Sequence, residues 1–310
     1  MAQLPSALGS SSYSPPAPYE KLVWITDGAR SMGIHIQAGR GSGKSRLMGR
    51  IIAFLDFLRG VPLVILDPHG PNIDNFMDKI MRLDRPVQER LWRRVLYVDM
   101  SGQSGHVVPF PLYYRLGGES LYTISQRYLD VLRRLDPFLQ TASVEGWNPL
   151  WRAGTYAGMI LAALGYQITE AGDLLAHPGG WLRRFESMLE VRQELWPAIA
   201  YFEELADLSH SQRTRRTESF ANKIALFSLD PSMRAMFGGS PPGIDWNKVV
   251  EDRLAVLLDF RHEHDLERRR FKMLWALHYA LEFIKHRGAG RHRPLSLVID
   301  ELEALSSLRT

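Results

Sequence analysis

The segment Ala38-Gly39-Arg40-Gly41-Ser42-Gly43-Lys44-Ser45 concentrates glycines, an ammonium and a hydroxyl in one short stretch. A polyanion needs many donors in a small space, and glycines let backbone N–H groups converge on it. The pattern matches Walker A, with Ala38 in place of the first glycine. Lys44 is expected to reach the β- and γ-phosphates of ATP, and the Ser45 hydroxyl to ligate Mg²⁺. Gly39, Arg40, Gly41, Ser42, Gly43, Lys44, Ser45 and Arg46 form the expected nucleotide-binding run. A helix starting there adds its positive end.

A second chemical signal stands near the other end of the chain. Leu295-Ser296-Leu297-Val298-Ile299 is an apolar strand candidate that ends in Asp300-Glu301, as in Walker B. Asp300 is expected in the Mg²⁺ shell, directly or through water. Glu301 is expected to orient and deprotonate the attacking water, as a general base must. An adjacent acid pair favours hydrolysis over transfer to a small molecule. Alone it is also an ordinary strand end.

These groups can meet only if the chain folds back on itself, so the intervening elements matter. Gly33–Gln37 (GIHIQ) reads as a strand leading into the glycine loop. The helix after it has Leu47, Ile51, Ile52, Phe54, Leu55 and Leu58 on a broad apolar face, and Gly60 is a natural stop. VPLVILD is a continuous apolar run, the pattern of a strand buried on both faces. It closes at Asp67-Pro68-His69-Gly70, where Asp67 and His69 are candidate site-facing residues; the alternative is a tight turn. VLYVDM (95–100) and RLAVLLDF (253–260) are further strands. Leu121, Ile124, Tyr128, Val131, Leu132 and Leu135 follow helical spacing, as do 178–191, 195–207, 211–228 and about 265–285. Phe271, Leu274, His278, Leu281 and Ile284 share one side of the last of these. The aromatics of the helical stretch, Trp147 and Trp151 among them, are expected to build a core.

The expected organisation is a Pro/Ser-rich flexible tail (1–19) and an α/β core in two parts (20–118 and 241–310), with an all-helical insertion (119–240) between them. Strands alternating with helices predict a mainly parallel sheet. Hydrophobic content of 45% and charged content of 23% are those of an ordinary globular chain of 310 residues. A formal charge of +4 permits nucleic-acid contact without arguing for it. The absence of cysteine excludes disulfides, thiolate zinc sites and thiol catalysis, and suits a cytoplasmic location. No apolar run reaches the roughly 18 residues of a transmembrane helix.

Beyond the two Walker motifs, Asp67-Pro68-His69-Gly70, LDPSMRAMFGG (229–239), the Ile244-Asp245-Trp246 segment and the LAVLLDF strand stand in a characteristic order. Together they resemble the FtsK/HerA superfamily of DNA-pumping ATPases, most of all the nucleotide-binding domains of type IV secretion coupling proteins and conjugative-transfer ATPases. The resemblance covers roughly residues 30–310. It implies a RecA-like P-loop core, a helical insert and a homo-oligomeric ring, usually a hexamer, with DNA in its channel. It also implies ATP between subunits, an arginine finger from a neighbour and partners in secretion or transfer machinery, which can hold such a protein at the inner membrane. In such folds a sensor strand follows Walker B and lies between the first and third core strands. The chain ends at Thr310, so this strand is expected to be missing, leaving the sheet short of a central member.

Three basic groups stand out: Arg213, Arg215 and Arg216; Arg268, Arg269, Arg270 and Lys272; and Lys285, Arg287, Arg291 and Arg293. Such clusters can track a phosphate backbone, and are more often solvated surface. Two other classes compete with a DNA-translocating ATPase. A GTP switch fits Asp67–Gly70 by letter, but that motif follows the glycine loop too soon, and Asn222-Lys223 does not continue as the guanine-reading motif. A non-catalytic nucleotide-dependent assembly module would bind ATP without turnover.

Overall fold

The computed structural model describes residues 33–39, 41–135, 149–189, 193–287 and 294–301, together with 7–8, 23–24, 26, 28 and 30. The chain divides into two compact units. One comprises Met1–Tyr97, Lys248–Leu257 and Arg293–Asp300; the other comprises Val98–Asn247, Leu258–His292 and Glu301–Thr310.

Strands β1 (Ala7–Leu8) and β2 (Val23–Trp24) form a short antiparallel pair. The main sheet is built from β3 (Leu63–Asp67), β4 (Val95–Asp99), β5 (Ala255–Asp259) and β6 (Ser296–Ile299), all parallel, in the order β4-β5-β3-β6. This is an α/β fold. Burial follows place in the sheet. The inner strands β3 and β5 are buried at every position, while the outer β4 and β6 are only partly buried. That is why VPLVILD and LAVLLD read as unbroken apolar runs: both faces of an inner parallel strand are covered.

Gly33–Gln37, expected as a strand, is not one. The segment is largely exposed and joins no sheet among the described residues. A strand needs a neighbour to satisfy its N–H and C=O groups. β6, the strand at that end of the sheet, has β3 as its one neighbour in the described order. Only Ile36 packs partly against the core.

In the first unit the glycine loop leads into α1 (46–58), which is π-helical over Arg46–Ala53 and α-helical over Phe54–Leu58. The expected apolar face shifts accordingly. Ile51 and Leu58 are exposed, whereas Met48 and Ala53, five residues apart, are buried with Phe54 and Phe57. A wider turn brings i and i+5 onto one face, where an α-helix aligns i and i+4. Helices α2 (Pro71–Met81) and α3 (Arg85–Trp92) complete the layer. Phe76 meets Phe54 and Phe57 edge-on at 6.1 and 5.2 Å. With Leu63, Ile65, Ile73, Ala255, Leu257 and Val298 they form one apolar core.

The helical elements that follow are α4 (Leu121–Leu135), α5 (Pro149–Leu164), α6 (Ala171–Ala176), α7 (Pro178–Leu189), α8 (Trp196–Asp207), α9 (His210–Leu229), α10 (Pro231–Gly238), α11 (Trp246–Glu251) and α12 (Leu266–His286). α4 buries Leu121, Ile124, Tyr128, Val131 and Leu132, as its periodicity predicts. Gly154 and Gly158 of α5 let α4 come close, since a Cβ at either would lie 2.7 Å from Leu129 or Ser125. Tyr128, Phe227, Phe237 and Phe271 pack edge-to-face at 5.3 to 5.6 Å between neighbouring rings, so these aromatics build a core. Trp147 lies outside the described residues. On α12, Leu281 is exposed, and the buried side runs through Phe271, Trp275, Tyr279 and Phe283. Among the described residues no helix is long and apolar enough to cross a membrane.

His278 on α12 has its basicity pushed down to about 4, chiefly by burial, with Glu282 opposing the shift. The unfolded chain binds a proton near the ordinary value of 6.5, and the folded chain does so only near 4. Stability is therefore expected to fall as pH drops from 6.5 towards 4. His278→Gln should flatten this limb of a pH series of urea melts. A variant with the same slope as the parent would remove His278 as the cause.

Candidate functional site

Two loops of the first unit meet at the C-terminal ends of β3 and β6. These strands pair in register from Leu63↔Ser296 to Leu66↔Ile299. One step further along stand Asp67 and Asp300, and the Asp300 N–H donates to the Leu66 carbonyl at 3.2 Å.

Asp67 is fully buried and saturated by backbone. Its Oδ1 accepts from the N–H groups of His69 (3.1 Å) and Gly70 (2.8 Å), and its Oδ2 from Asn72 (2.6 Å) and Ile73 (3.1 Å). The sequence dictates this. Gly70 occupies the N-cap of α2 with φ 95° and has no side chain to cap with, and Pro71 has no N–H to offer. The Asp67 carboxylate serves as the cap from three residues upstream. Burial pushes its carboxyl above the ordinary range, against the pull of the four N–H donors. His69 has an exposed side chain.

This cap fixes Asn72, which sequence reasoning missed. Asn72 is fully buried, and its Nδ2 donates to Asp300 Oδ2 at 2.7 Å. The only cue was its place one residue after a proline that starts a helix. Asp300 Oδ1 lies 2.8 Å from Lys44 Nζ. Asp300 is thus held by two side chains, one neutral and one cationic. Asp67 is held by backbone N–H groups, Asp99 by backbone and side chain of Ser101 and the N–H of Ser104, and Asp259 by Arg261.

Lys44 and Ser45 open the helix that runs into α1. Gly41 and Gly43 have φ of 79° and 91°, where L side chains are strained. A Cβ on Gly39, Gly41 or Gly43 would meet no protein atom within 4 Å, so the loop's glycines face open space rather than packed neighbours. Ser45 makes no side-chain capping bond. Leu47 N–H is bonded back to the Gly43 carbonyl at 2.9 Å, so the N–H groups of Lys44, Ser45 and Arg46 precede any intrahelical acceptor. Arg46 is exposed, and Arg40 lies outside the described residues. Glu301 follows Asp300 with an exposed side chain and φ 53°. Such a backbone costs of order 1–3 kcal/mol in a non-glycine residue and is commonest where function demands it. Arg253 shares the geometry (φ 56°) in a turn, so the angle alone assigns no role.

Compared with models of protein families, with curated proteins and with solved structures, the chain gives no match. The reading of the site therefore rests on its own chemistry.

That chemistry fits a magnesium-bound polyphosphate. The donors are an ammonium, a hydroxyl and a helix start; the groups able to hold a metal are the Asp300 carboxylate and the Ser45 hydroxyl. Asn72 Oδ1 is a buried acceptor with no hydrogen-bond partner among the described residues, on the same side chain that holds Asp300, and leaving it so is costly.

Close packing holds the two loops together. A Cβ on Gly49 of α1 would lie 2.4 Å from the Asn72 carbonyl oxygen. Arg50 forms an ion pair with Asp78 of α2. Gly49→Ala is expected to destabilise the protein by roughly 1–3 kcal/mol through overpacking. Urea unfolding measures this, and an unchanged midpoint would mean that the two helices are free to separate.

The basic groups noted in the sequence divide. Lys272 is fully buried and bonded to Glu263 Oε2 (2.6 Å) and the Met100 carbonyl (2.8 Å), and Arg268 is paired with Asp230. They brace the second unit. Arg216 pairs with Glu204 at 2.6 Å. Arg291 and Arg293 lie outside the described residues. Glu119, Glu282 and His286 of the second unit bring ligand-type atoms within 4.8 Å of one another. Arg127 already pairs with Glu119 and Lys285 with Glu282, which makes the group an ion-pair network.

Proposed function

We propose that the chain binds ATP with Mg²⁺ and hydrolyses it, and that hydrolysis drives DNA movement, as in translocases and coupling ATPases of the conjugative or type IV secretion type. The observation that carries the ATP reading is the 2.8 Å approach of Lys44 Nζ to Asp300 Oδ1. Two segments far apart in the chain, each chosen for its chemistry, share one ion pair. The DNA reading rests on the order of the motifs that resemble the FtsK/HerA superfamily, and with it come the ring-shaped homo-oligomer and a cytoplasmic site of action.

When bound, Mg²⁺-ATP supplies the phosphoanhydride and the metal charge that polarises it. Lys44 neutralises the phosphate oxygens, helped by the first N–H groups of its helix. Ser45 and Asp300 hold the metal, and Asn72 holds Asp300. Asp67 positions Asn72 by capping α2. Glu301 takes the proton of the attacking water. Adenine selectivity and DNA coupling are the finer parts of the proposal.

Phosphate release tests both levels. ATP turnover is expected, faster with added DNA and slower with GTP in place of ATP. A folded protein that turns over neither nucleotide, with or without DNA, would refute the enzymatic reading. ATP turnover indifferent to DNA would refute the translocase reading alone.

A further inference from the structure

The two carboxylate oxygens of Asp300 have different partners. Oδ1 lies 2.8 Å from Lys44 Nζ, and Oδ2 accepts from Asn72 Nδ2 at 2.7 Å. An ionised carboxylate only accepts, so the Asn72 amide must present its NH₂ group there. The two partners also differ in freedom. The Lys44 side chain is 30% exposed and carries its ammonium on a long flexible stem, so it can swing to a phosphate. Asn72 is fully buried, and its backbone is fixed on two sides. Its N–H donates to Asp67 Oδ2 at 2.6 Å, and a Cβ on Gly49 of α1 would come within 2.4 Å of its carbonyl oxygen. Its Oδ1 has no hydrogen-bond partner among the described residues, so the contact with Asp300 holds the amide in its orientation.

We infer that Asn72 sets which metal ion the site accepts, favouring Mg²⁺ over Ca²⁺. This rests on the reading of Asp300 as a metal ligand beside ATP, and it makes Asn72 a positioning residue with a say in specificity. When Lys44 turns to the phosphates, Oδ1 loses its ammonium and Oδ2 keeps its amide. Asp300 then offers a cation one oxygen rather than a chelating pair. That suits Mg²⁺, a small ion that demands octahedral geometry and keeps several of its waters. It suits Ca²⁺ poorly, because that larger ion gathers roughly six to eight oxygens and readily takes both oxygens of one carboxylate. Asp67, at the end of the neighbouring strand β3, does not make up the number. Both its oxygens accept from backbone N–H groups. A group that orients a metal-binding carboxylate matters to the metal itself, and losing one typically costs roughly 10–100-fold in metal affinity.

The test is calorimetric titration of the full chain with a non-hydrolysable ATP analogue, in Mg²⁺, in Ca²⁺ and in a chelator. The parent is expected to bind the Mg²⁺ complex at least about tenfold more tightly than the Ca²⁺ complex. That comparison needs no variant. Asn72→Ala frees Oδ2 and leaves the backbone N–H on Asp67. It should shrink the ratio to about twofold or less, with affinity in the chelator within about twofold of the parent. Asn72→Leu, close to asparagine in size but without a donor, should do the same and covers the case in which the alanine variant does not fold. Circular dichroism identifies the folded variants. A merely structural role predicts a different pattern, an equal loss in all three conditions.

The proposal is overturned if the parent takes Ca²⁺ as well as Mg²⁺, if a folded variant keeps the parent's ratio, or if the loss is the same with either metal and in the chelator. A parent that binds the analogue in none of the three conditions would refute the ATP reading itself. Binding that does not discriminate between the metals would refute the role of Asn72 alone.

Discussion

Replacing Lys44 by alanine is expected to lower ATP turnover by at least about a hundredfold, the effect of deleting one well-placed donor to developing negative charge. The Lys44 ammonium is the cation of the glycine loop that sits against the carboxylate expected to hold the metal. Its removal takes charge from the phosphates and deprives Asp300, which is 6% exposed, of a cation at 2.8 Å. A purely structural ion pair makes a different prediction. Lys44→Ala and Asp300→Asn would then both cost stability and both leave ATP turnover as it was. Lys44→Arg is a useful companion, because it keeps the charge but presents a planar fork in place of a compact ammonium. It is expected to retain stability better than alanine without restoring turnover. Phosphate-release assays beside urea melts of all three variants separate the alternatives.

Glu301→Gln is expected to lower turnover by roughly 10²–10⁴-fold, the range for loss of a general base, while ATP still binds. The amide keeps the size and exposure of the side chain and cannot take a proton. Glu301 is exposed and follows β6 with a left-handed backbone, so the change should hardly affect stability. Equal turnover in parent and variant would remove Glu301 from catalysis and favour a module that binds ATP for assembly alone.

Parts of this molecule were legible because local pattern and tertiary place agreed. LVILD and AVLLD are unbroken apolar runs, and both became inner strands. The expected helices at 178–191, 195–207 and 211–228 correspond to Pro178–Leu189, Trp196–Asp207 and His210–Leu229. Gly33–Gln37 misled because alternation reports fitness for a sheet, not the presence of a neighbour to pair with. The helix 46–58 misled at Ile51 and Leu58 because its π-helical turns rotate the apolar face.

Of the site, the chemically unusual residues were readable and their supports were not. Lys44 and Asp300 declare themselves by motif. Asn72 does not, because an asparagine after a proline at a helix start looks like turn chemistry. The two uses of aspartate at strand ends are also invisible in sequence, since Asp67 and Asp300 both follow an apolar run. Only the fold shows one bonded to four backbone N–H groups and the other to Lys44 and Asn72. Lys272 looked like part of a basic surface, and Glu263 together with the Met100 carbonyl made it internal.

The central claim is that Lys44 and Asp300 belong to one metal–nucleotide site, and calorimetric titration of ATP tests it most directly. The predicted result is one saturable site whose affinity rises at least about tenfold when Mg²⁺ replaces a chelator, with that gain largely lost in Asp300→Asn. A folded parent protein that shows no saturable ATP binding, or an Asp300→Asn variant with an undiminished Mg²⁺ dependence, would contradict it.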